Sequence, residues 1–356
     1  TPEWYETVRF AAAEADRLGL EMAIFSSPGW SETGGPWVKP EQAMKKLVWS
    51  ETHATGPEIF SGSLKHPPTN IGQIRNTGVS YYDNSSTETP FYADSAVIAY
   101  RTPAGEAAAE SAVPVVTSNN GPIDGSALLD DDLNTQLTIP APADGAAAWI
   151  QYEFPKSVTA RAITLGGKGI RATGIPVGRV LAGDDGVTFR TLITLPGTQL
   201  YRQGMVRTFS FPLTTAKYFR IEMTGAPLGP AITMSQAPSP PAKQYVLSEA
   251  VVHSGARVNR WEEKAGFSFL FEYESVPSLA VPADATIAPA GVVDLTDKMR
   301  ADGTLDWTVP AGDWTILRMG YSLTGAHHRP ATPAGSGLEA AKLSRKHMEA
   351  YIHGYF

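Results

Sequence analysis

Apolar side chains recur at spacings of three and four at the start of the chain, which predicts one face of a helix. The residues on this face are Trp4, Val8, Ala11, Ala15 and Leu18. Thr1 followed by Pro2 is typical of an N-cap and a first-turn proline. Gly19 stands where a C-cap glycine is expected. The pattern therefore predicts a helix over residues 1–18.

Two further segments complete the N-terminal pattern. The apolar run at residues 20–25 carries one charge and is too short for a helix, so we expect a buried parallel strand. A second helix is predicted to begin at Pro40, with four apolar residues on one face: Ala43, Met44, Leu47 and Val48. A helix, a strand and a helix with short connections form half of an α/β repeat, in which the loop after the strand carries the site. Residues 26–37 are then the candidate binding loop.

After about residue 55 the helical period disappears and short strand-like runs alternate with turn residues. The runs of one group lie at residues 148–154, 160–165, 179–182, 189–195, 206–211 and 218–223. Further strands are predicted at residues 91–100, 245–253, 267–271 and 307–321, and a linker at 104–122. This succession favours an antiparallel β-sandwich.

The helical period returns at the end of the chain, with Ser344 as the predicted N-cap and Leu343 and Met348 as a hydrophobic staple around it. The apolar face consists of Met348, Tyr351, Ile352, Tyr355 and Phe356. Because this pattern is still running at the last residue, we expect the chain to be a fragment of a longer protein.

Composition excludes several classes of function. The net charge of −7 argues against a nucleic-acid groove or an anionic membrane as partner, and no apolar run approaches the roughly 18 residues of a membrane span. The absence of cysteine excludes disulfides, thiolate catalysis and zinc ribbons.

The candidate loop combines indoles, hydroxyls and glycines, a composition that suits sugars, whose C–H faces stack on aromatic rings. The alternative is that Trp30 and Trp37 only pack the loop onto the fold. Glu32 and Glu339 are candidate carboxylates for sugar hydroxyls, but their spacing establishes no acid and base pair. Glutamate near a helix start is also common because it complements the helix dipole.

Metal sites have weaker signals. The segment from Asp130 to Thr135 opens like a calcium loop, but Thr135 replaces the glycine of an EF-hand, so a calcium-braced loop and a plain Asx-turn both remain open. Adjacent His327 and His328 point to opposite sides of an extended chain, which disfavours zinc. Residues 166–169 match no phosphate-loop pattern and predict a turn.

Residues 29–51, with the motifs Gly-Trp-Ser and Gly-Gly-Pro-Trp-Val-Lys-Pro-Glu-Gln-Ala-Met, resemble the signature segment of glycoside hydrolase family 106, the α-L-rhamnosidases. Segments at 292–296, 303–307, 310–318 and 324–339 are similar to that family in the same order. Residues 129–130, 149–154 and 217–222 resemble a discoidin-like, galactose-binding-type module.

The resemblance implies an α/β plus all-β protein: part of a (β/α)8 TIM-type barrel interrupted by an inserted antiparallel β-sandwich. Residues 1–55 would be a barrel segment of helix, strand, loop and helix. Residues 56–310 would be the inserted β-rich region, with the galactose-binding-like sandwich at about 123–255. Residues 311–356 would return to the barrel.

The resemblance also implies inverting hydrolysis of terminal α-L-rhamnosides, a rhamnose-containing carbohydrate as partner, an active-site calcium ion and a periplasmic or secreted location. The residues expected to line the substrate pocket are Trp30, Ser31, Gly35, Trp37 and Glu339. The family's catalytic acid and base follow the Gly-Leu-Glu segment, so we expect them beyond Phe356 and assign none here. Ala341 stands where the family usually has aspartate, which puts full activity in question.

Two other functions remain open at this point. One is a carbohydrate-binding protein without hydrolytic activity that acts through the sandwich. The other is a purely structural sandwich that shields the barrel or mediates assembly.

Overall fold

The computed structural model describes residues 2–23, 33–67, 91–103, 105–106, 112–130, 132, 135–167, 175–196, 206–224, 242–265, 276–325 and 334–355. The described fold is mostly β-strand with few helices. The helices are α1 (Pro2–Arg17), α2 (Trp261–Lys264) and α3 (Arg345–Tyr355). Short 3-10 turns lie at Pro40–Gln42, Ser126–Leu128, Ala283–Ala285, Pro289–Gly291 and Thr296–Lys298.

Thirteen strands are named in chain order within these residues. They are β1 (Lys45–Ser63), β2 (Tyr92–Arg101), β3 (Val115–Ser118), β4 (Gly121–Pro122), β5 (Leu137–Pro140), β6 (Ala148–Gly166), β7 (Val177–Gly183), β8 (Arg190–Pro196), β9 (Val206–Met223), β10 (Gln244–Leu247), β11 (Glu249–His253), β12 (Val292–Asp294) and β13 (Thr304–Leu323).

The chain divides into two compact units. Unit 1 contains Thr1–Met44 and Ala326–Phe356, and unit 2 contains Lys45–Gly325. The sequence predicted boundaries near residues 55 and 311. The difference arises because β1 and β13 belong to unit 2 over their whole lengths.

The first helix is confirmed as α1. The Gly19 amide N–H donates to the carbonyl of Asp16 at 3.0 Å and the Leu20 N–H to that of Ala15 at 2.8 Å, a Schellman motif that requires the left-handed φ of +66° at Gly19. No residue of α1 is buried within the described structure. The described part of the predicted strand, residues 20–23, is not a strand, and the rest of it lies outside the described residues.

The predicted helix from Pro40 is wrong. Only the 3-10 turn at Pro40–Gln42 forms, and the chain then enters β1. Val48 is buried whereas its neighbour Leu47 is exposed, because burial alternates with the period of two that a strand requires. Ala43 and Met44 precede the strand, so the four apolar residues never share a helix face.

A four-stranded antiparallel sheet in the order β1-β13-β2-β12 forms one part of unit 2. Strands β1 and β13 pair over nearly their full length, from Lys45 opposite Leu323 to Ser63 opposite Thr304. The sheet packs on its own core of buried residues: Leu64, Val97, Ala99, Leu295, Leu305, Trp307, Val309, Trp314 and Ile316. The sequence predicted two of these strands, at residues 91–100 and 307–321, and both are confirmed.

The inserted β region, which we define as residues 115–253, lies between β2 and β12 in the chain. Its main sheet has the order β4-β3-β6-β9-β7-β8, with β11 paired to β6, and a second sheet consists of β5 and β10. The long strands β6 and β9 each cover two of the predicted runs. Their pairing shifts register between Glu153 and Val158 and again between Ala160 and Ala162, where bulges bend the sheet.

One core holds the inserted β region together, and its aromatic members are Tyr152, Phe154, Phe209, Phe211, Phe219 and Tyr245. The buried Tyr152 hydroxyl donates to the carbonyl of Ala250 at 2.6 Å, which satisfies the polar end of this side chain. The predicted linker at 104–122 is too long, because its last part forms β3 and β4. The predicted strand at 267–271 lies outside the described residues.

The described strands pair only in antiparallel fashion. The parallel strands of the expected barrel are therefore not among them. The last helix is confirmed as α3, with Ser344 as its N-cap: the Ser344 hydroxyl accepts the His347 amide N–H at 3.3 Å. The predicted staple does not form, because the Leu343 side chain is fully exposed.

Candidate functional site

Three segments from both parts of unit 1 meet in a small antiparallel arrangement. Gly34 lies opposite Glu339, and Ala43 lies opposite Ala340. Residues 338–341 are thus bonded to residues 33–35 on one side and to residues 42–44 on the other. The bonds run from Gly35 N to Leu338 O at 3.3 Å, Ala340 N to Thr33 O at 2.7 Å, Met44 N to Glu339 O at 2.8 Å and Ala341 N to Gln42 O at 2.8 Å.

This arrangement brings together three of the five predicted site residues: Gly35, Trp37 and Glu339. The other two, Trp30 and Ser31, lie outside the described residues. The candidate site described below therefore consists of residues 33–44 and 337–354.

Glycine is required in the candidate site because backbone segments approach closely. A Cβ atom on Gly337 would lie 2.0 Å from the carbonyl oxygen of Gly35. A Cβ atom on Gly35 would lie 2.7 Å from the ring of Trp37. Real Cβ atoms do not come this close to other heavy atoms, so larger residues would separate the segments. Gly35 and Gly337 thus have a steric role in this fold, and the place of Gly35 in a substrate pocket stays a prediction.

Trp37 is anchored by helix α3. Its ring stacks on Tyr351, with 5.8 Å between centroids and 24° between planes. The indole N–H donates to the backbone carbonyl of Tyr351 at 3.2 Å. Gly354 leaves room for the ring, because a Cβ atom there would lie 2.4 Å from Trp37 Cδ1. These contacts favour the packing role for Trp37, while its 36% exposure leaves part of the side chain accessible. Sugar binding by Trp37 stays a prediction.

Glu339 presents a carboxylate beside the same segments. It forms an ion pair with Lys342, and its side chain is only 12% exposed, against 49% for Lys342. A carboxylate accepts hydrogen bonds and an ammonium donates them, so the pair can bind hydroxyls that do both. Ala341, two positions after Glu339, offers no side-chain oxygen where the resemblance led us to expect an aspartate.

Sequence reasoning did not foresee three residues of this site: Lys342, Tyr351 and Gly354. The spacing of three between Glu339 and Lys342 was a usable signal, since it brings side chains together in a turn. Tyr351 was assigned to the apolar helix face, and the structure adds that its carbonyl and ring both contact Trp37.

The candidate calcium loop forms a local turn. One oxygen of Asp130 accepts the Asp132 amide N–H at 2.9 Å, and the other accepts the Thr135 hydroxyl at 2.7 Å. This is the Asx-turn alternative. Among the described residues, no group of three or more His, Cys, Asp or Glu is placed to hold a metal ion. His327 and His328 lie outside the described residues, as do residues 168 and 169 of the turn predicted at 166–169.

A comparison with protein families matches residues 1–356 to the family described as α-L-rhamnosidase, glycoside hydrolase family 106. The chain belongs to this family. A rhamnosidase structure from Novosphingobium sp. PP1Y is 35% identical, with a TM-score of 0.75, and the match covers 100% of this chain and 31% of that one. The resemblance to glycoside hydrolase family 106 found in the sequence is confirmed.

A curated protein from Formosa agariphila, provisionally named a β-glucuronidase, is 21% identical over 352 residues, which cover 99% of this chain and 16% of that protein. The chain thus spans less than a third of the length of either relative. Within the described part of the chain, no helix has both the length and the apolar character needed to cross a membrane.

Proposed function

We propose that this chain is part of an α-L-rhamnosidase that removes terminal α-L-rhamnose from glycosides or polysaccharides by inverting hydrolysis. The family membership over the whole chain supports the reaction class. The observation that carries the proposal is the assembly of Gly35, Trp37 and Glu339 by segments more than 290 positions apart, as the Gly34 to Glu339 bridge records. The residues that resemble the family most strongly are the ones that meet.

The proposed architecture is a (β/α)8 barrel interrupted by a galactose-binding-like β-sandwich. Unit 1 supports the barrel because it draws on both ends of the chain, as an interrupted domain must. Helix α1 also supports it. Val8, Ala11 and Ala15 on its apolar face are only half-buried and Trp4 is exposed, which suits a helix whose partners include other barrel elements.

In this proposal the described residues bind and position the sugar. An inverting glycosidase needs a protonated carboxyl to donate to the leaving oxygen and a carboxylate on the opposite face to activate water. Glu339 is paired with Lys342, which suits the binding of rhamnose hydroxyls rather than proton transfer. Trp37 stacks on Tyr351 and donates its indole N–H to the carbonyl of that residue, which fixes the orientation of its ring. We place the acid and base in the rest of the protein.

The proposal includes a calcium ion in the active site, and only the family resemblance supports it. Among the described residues, His, Cys, Asp and Glu side chains form no group of three that could hold the ion. A periplasmic or secreted location, also carried by the resemblance, is part of the same proposal.

The test is hydrolysis of p-nitrophenyl α-L-rhamnoside and p-nitrophenyl β-D-glucuronide by the full-length protein and by residues 1–356 alone, each with calcium and with a chelator. We expect rhamnose release by the full-length protein only, and the first anomer seen by NMR should be β. A full-length protein that folds and cleaves only the glucuronide would overturn the substrate. A folded protein that cleaves neither would favour a carbohydrate-binding function without hydrolysis.

A further inference from the structure

A cavity of about 230 Å³ opens on unit 2, between strands β6 and β9 and the segments that follow the inserted β region. The residues that line this cavity include Arg161, Ser210, Arg257, Leu213, Leu279 and Val281. None of them takes part in the candidate site of unit 1. A ligand bound in this cavity would therefore contact none of the residues of the candidate site.

The cavity lies where β6 and β9 pair, beside a buried hydroxyl. Ser210 Oγ is buried and makes no hydrogen bond with any described residue, although the Ser210 backbone N–H donates to Asn259 Oδ1 at 3.1 Å. Arg161 lies next to Ala162, the residue that pairs with Ser210 across the sheet. The Oγ atom has almost no accessible surface, so a ligand in the cavity does not reach it in this structure.

The charge of the cavity is positive. Arg257 is neutralised, because its guanidinium lies 2.5 Å from a carboxylate oxygen of Glu106. Arg161 also lines the cavity, but no ion pair joins it to a carboxylate in the described part of the chain. A half-buried guanidinium without a counter-charge favours a carboxylate ligand, which it can bind with two parallel hydrogen bonds.

The rim of the cavity is apolar. Leu213, Leu279 and Val281 are 54%, 46% and 38% exposed, and they come from two separate segments that converge here. Exposed aliphatic side chains gathered around a few convergent polar groups are typical of a ligand site. The volume suits one small ring, whose C–H face would lie on the aliphatic side chains.

We propose that this cavity binds a uronate, a sugar ring that carries a carboxylate. Arg161 binds the carboxylate, and the aliphatic rim contacts the C–H face of the ring. The choice of a sugar rests on membership of a glycoside hydrolase family and not on rhamnosidase activity. Binding and hydrolysis are measured separately, so the failure of one is distinguishable from the failure of the other.

The test is calorimetric titration of the chain with methyl α-D-galacturonate and methyl β-D-glucuronide. Methyl β-D-galactoside and cyclohexanecarboxylate serve as probes that lack the carboxylate or the sugar. Arg161→Gln should weaken uronate binding about tenfold or more, because a charge-assisted hydrogen bond is lost. The matched control is Arg190→Gln, an exposed arginine on β8, which should leave the affinity unchanged.

The proposal is overturned if the galactoside binds as tightly as the uronates, or if both arginine variants lose affinity equally. Equal binding of cyclohexanecarboxylate would overturn the choice of a sugar. If Arg161→Gln does not fold, amide chemical-shift changes of the wild-type chain decide the matter. Changes at residues 161, 210 and 279–281 on adding a uronate support the proposal, and changes confined elsewhere overturn it.

Discussion

The indole of Trp37 lies almost parallel to the ring of Tyr351, at 5.8 Å, and donates its N–H to the carbonyl of the same residue. Two residues separated by 314 positions thus share a stacking contact and a hydrogen bond. The site loop and the last helix of unit 1 are consequently held as one element. The predictions for this unit depend on that contact.

Gly354→Ala should loosen the site. Alanine normally stabilises a helix relative to glycine by about 1 kcal/mol, but here the added Cβ would lie 2.4 Å from Trp37 Cδ1. We expect a net loss of about 1–3 kcal/mol from overpacking. The measurement is hydrogen exchange of the Trp37 indole N–H by NMR, which should become about tenfold faster or more. Gly291→Ala, where the added atom meets open space, is the control. Unchanged exchange in Gly354→Ala would contradict the stacking geometry.

Glu339→Gln should lower activity in the full-length protein if Glu339 binds the sugar. The loss of a charged acceptor is worth about 1.5–3 kcal/mol, or roughly a 10- to 100-fold fall in kcat/KM. Lys342→Met should also lower it, because the paired carboxylate loses its orientation. Glu58→Gln, an exposed position on β1, should retain full activity. Full activity of Glu339→Gln would remove this residue from the site.

Gly56→Ala should destabilise the sheet of β1 and β13. The added Cβ would lie 2.2 Å from the carbonyl oxygen of Pro310 and 2.5 Å from that of Val309, and neither backbone atom can move away without breaking strand pairing. The expected loss in the free energy of unfolding is about 1–3 kcal/mol or more, measured by urea denaturation. Gly62→Ala in the same strand meets only Phe60, at 3.8 Å, and should be neutral or slightly stabilising. Equal effects of the two substitutions would refute the close approach.

Glu262 should make the stability of unit 2 depend on pH. Burial raises the pKa of its carboxyl to about 7, although the amide N–H and hydroxyl of Thr208 donate to it. The neighbouring charges are those of Glu263, Arg207 and Arg260. A pKa raised on folding means that the folded state holds its proton more tightly. Its contribution to stability is therefore complete below the ordinary glutamate pKa and is lost as the pH rises to about 7.

The comparison of wild type with Glu262→Gln isolates this contribution. The amide cannot ionise, so the variant should lack the fall in unfolding free energy that the wild type shows across this pH range, on the order of 3 kcal/mol. Urea denaturation at several pH values between 4 and 8 measures the difference. Parallel pH curves for the two proteins would show that Glu262 does not titrate in this range.

The helices at the two ends of the chain could be predicted because their capping residues and their apolar spacing indicate the same helix boundaries. Gly19 and Ser344 occupy the cap positions that the sequence indicated. The prediction for the segment after Pro40 failed because its apolar residues at 43, 44, 47 and 48 fit the period of a helix and do not alternate as a strand requires. Lys46 is buried and Leu47 exposed in β1, an inversion that only the pairing with β13 imposes. Local pattern cannot report a partner strand so distant in sequence.

Strands β6 and β9 were each predicted as two shorter strands, and Pro155 and Pro212 lie between the predicted runs. Register shifts let the chain continue through Pro155. The site was predictable where glycine and tryptophan share a short motif, as in residues 34–37. The contribution of Tyr351 was not, because stacking between distant segments leaves no spacing to detect. The cavity at Arg161 was missed for the same reason.

The pairing of β1 with β13 also constrains the order of events during synthesis. β13 is the strand that pairs with β1 among the described strands, and residues 64–303 must be translated before it exists. At ribosomal rates of about 5–20 residues per second, translation of these residues takes on the order of 10–50 s. During this time the backbone donors and acceptors of β1 lack their partners in β13. The described strands of the inserted β region, β3 to β11, pair only with one another, so this region can fold before β13 is translated. Nascent chains of this protein therefore pass through a stage in which the inserted β region is folded while β1 is still an unpaired strand. An unpaired strand can bind chaperones or other nascent chains, so this stage is prone to aggregation.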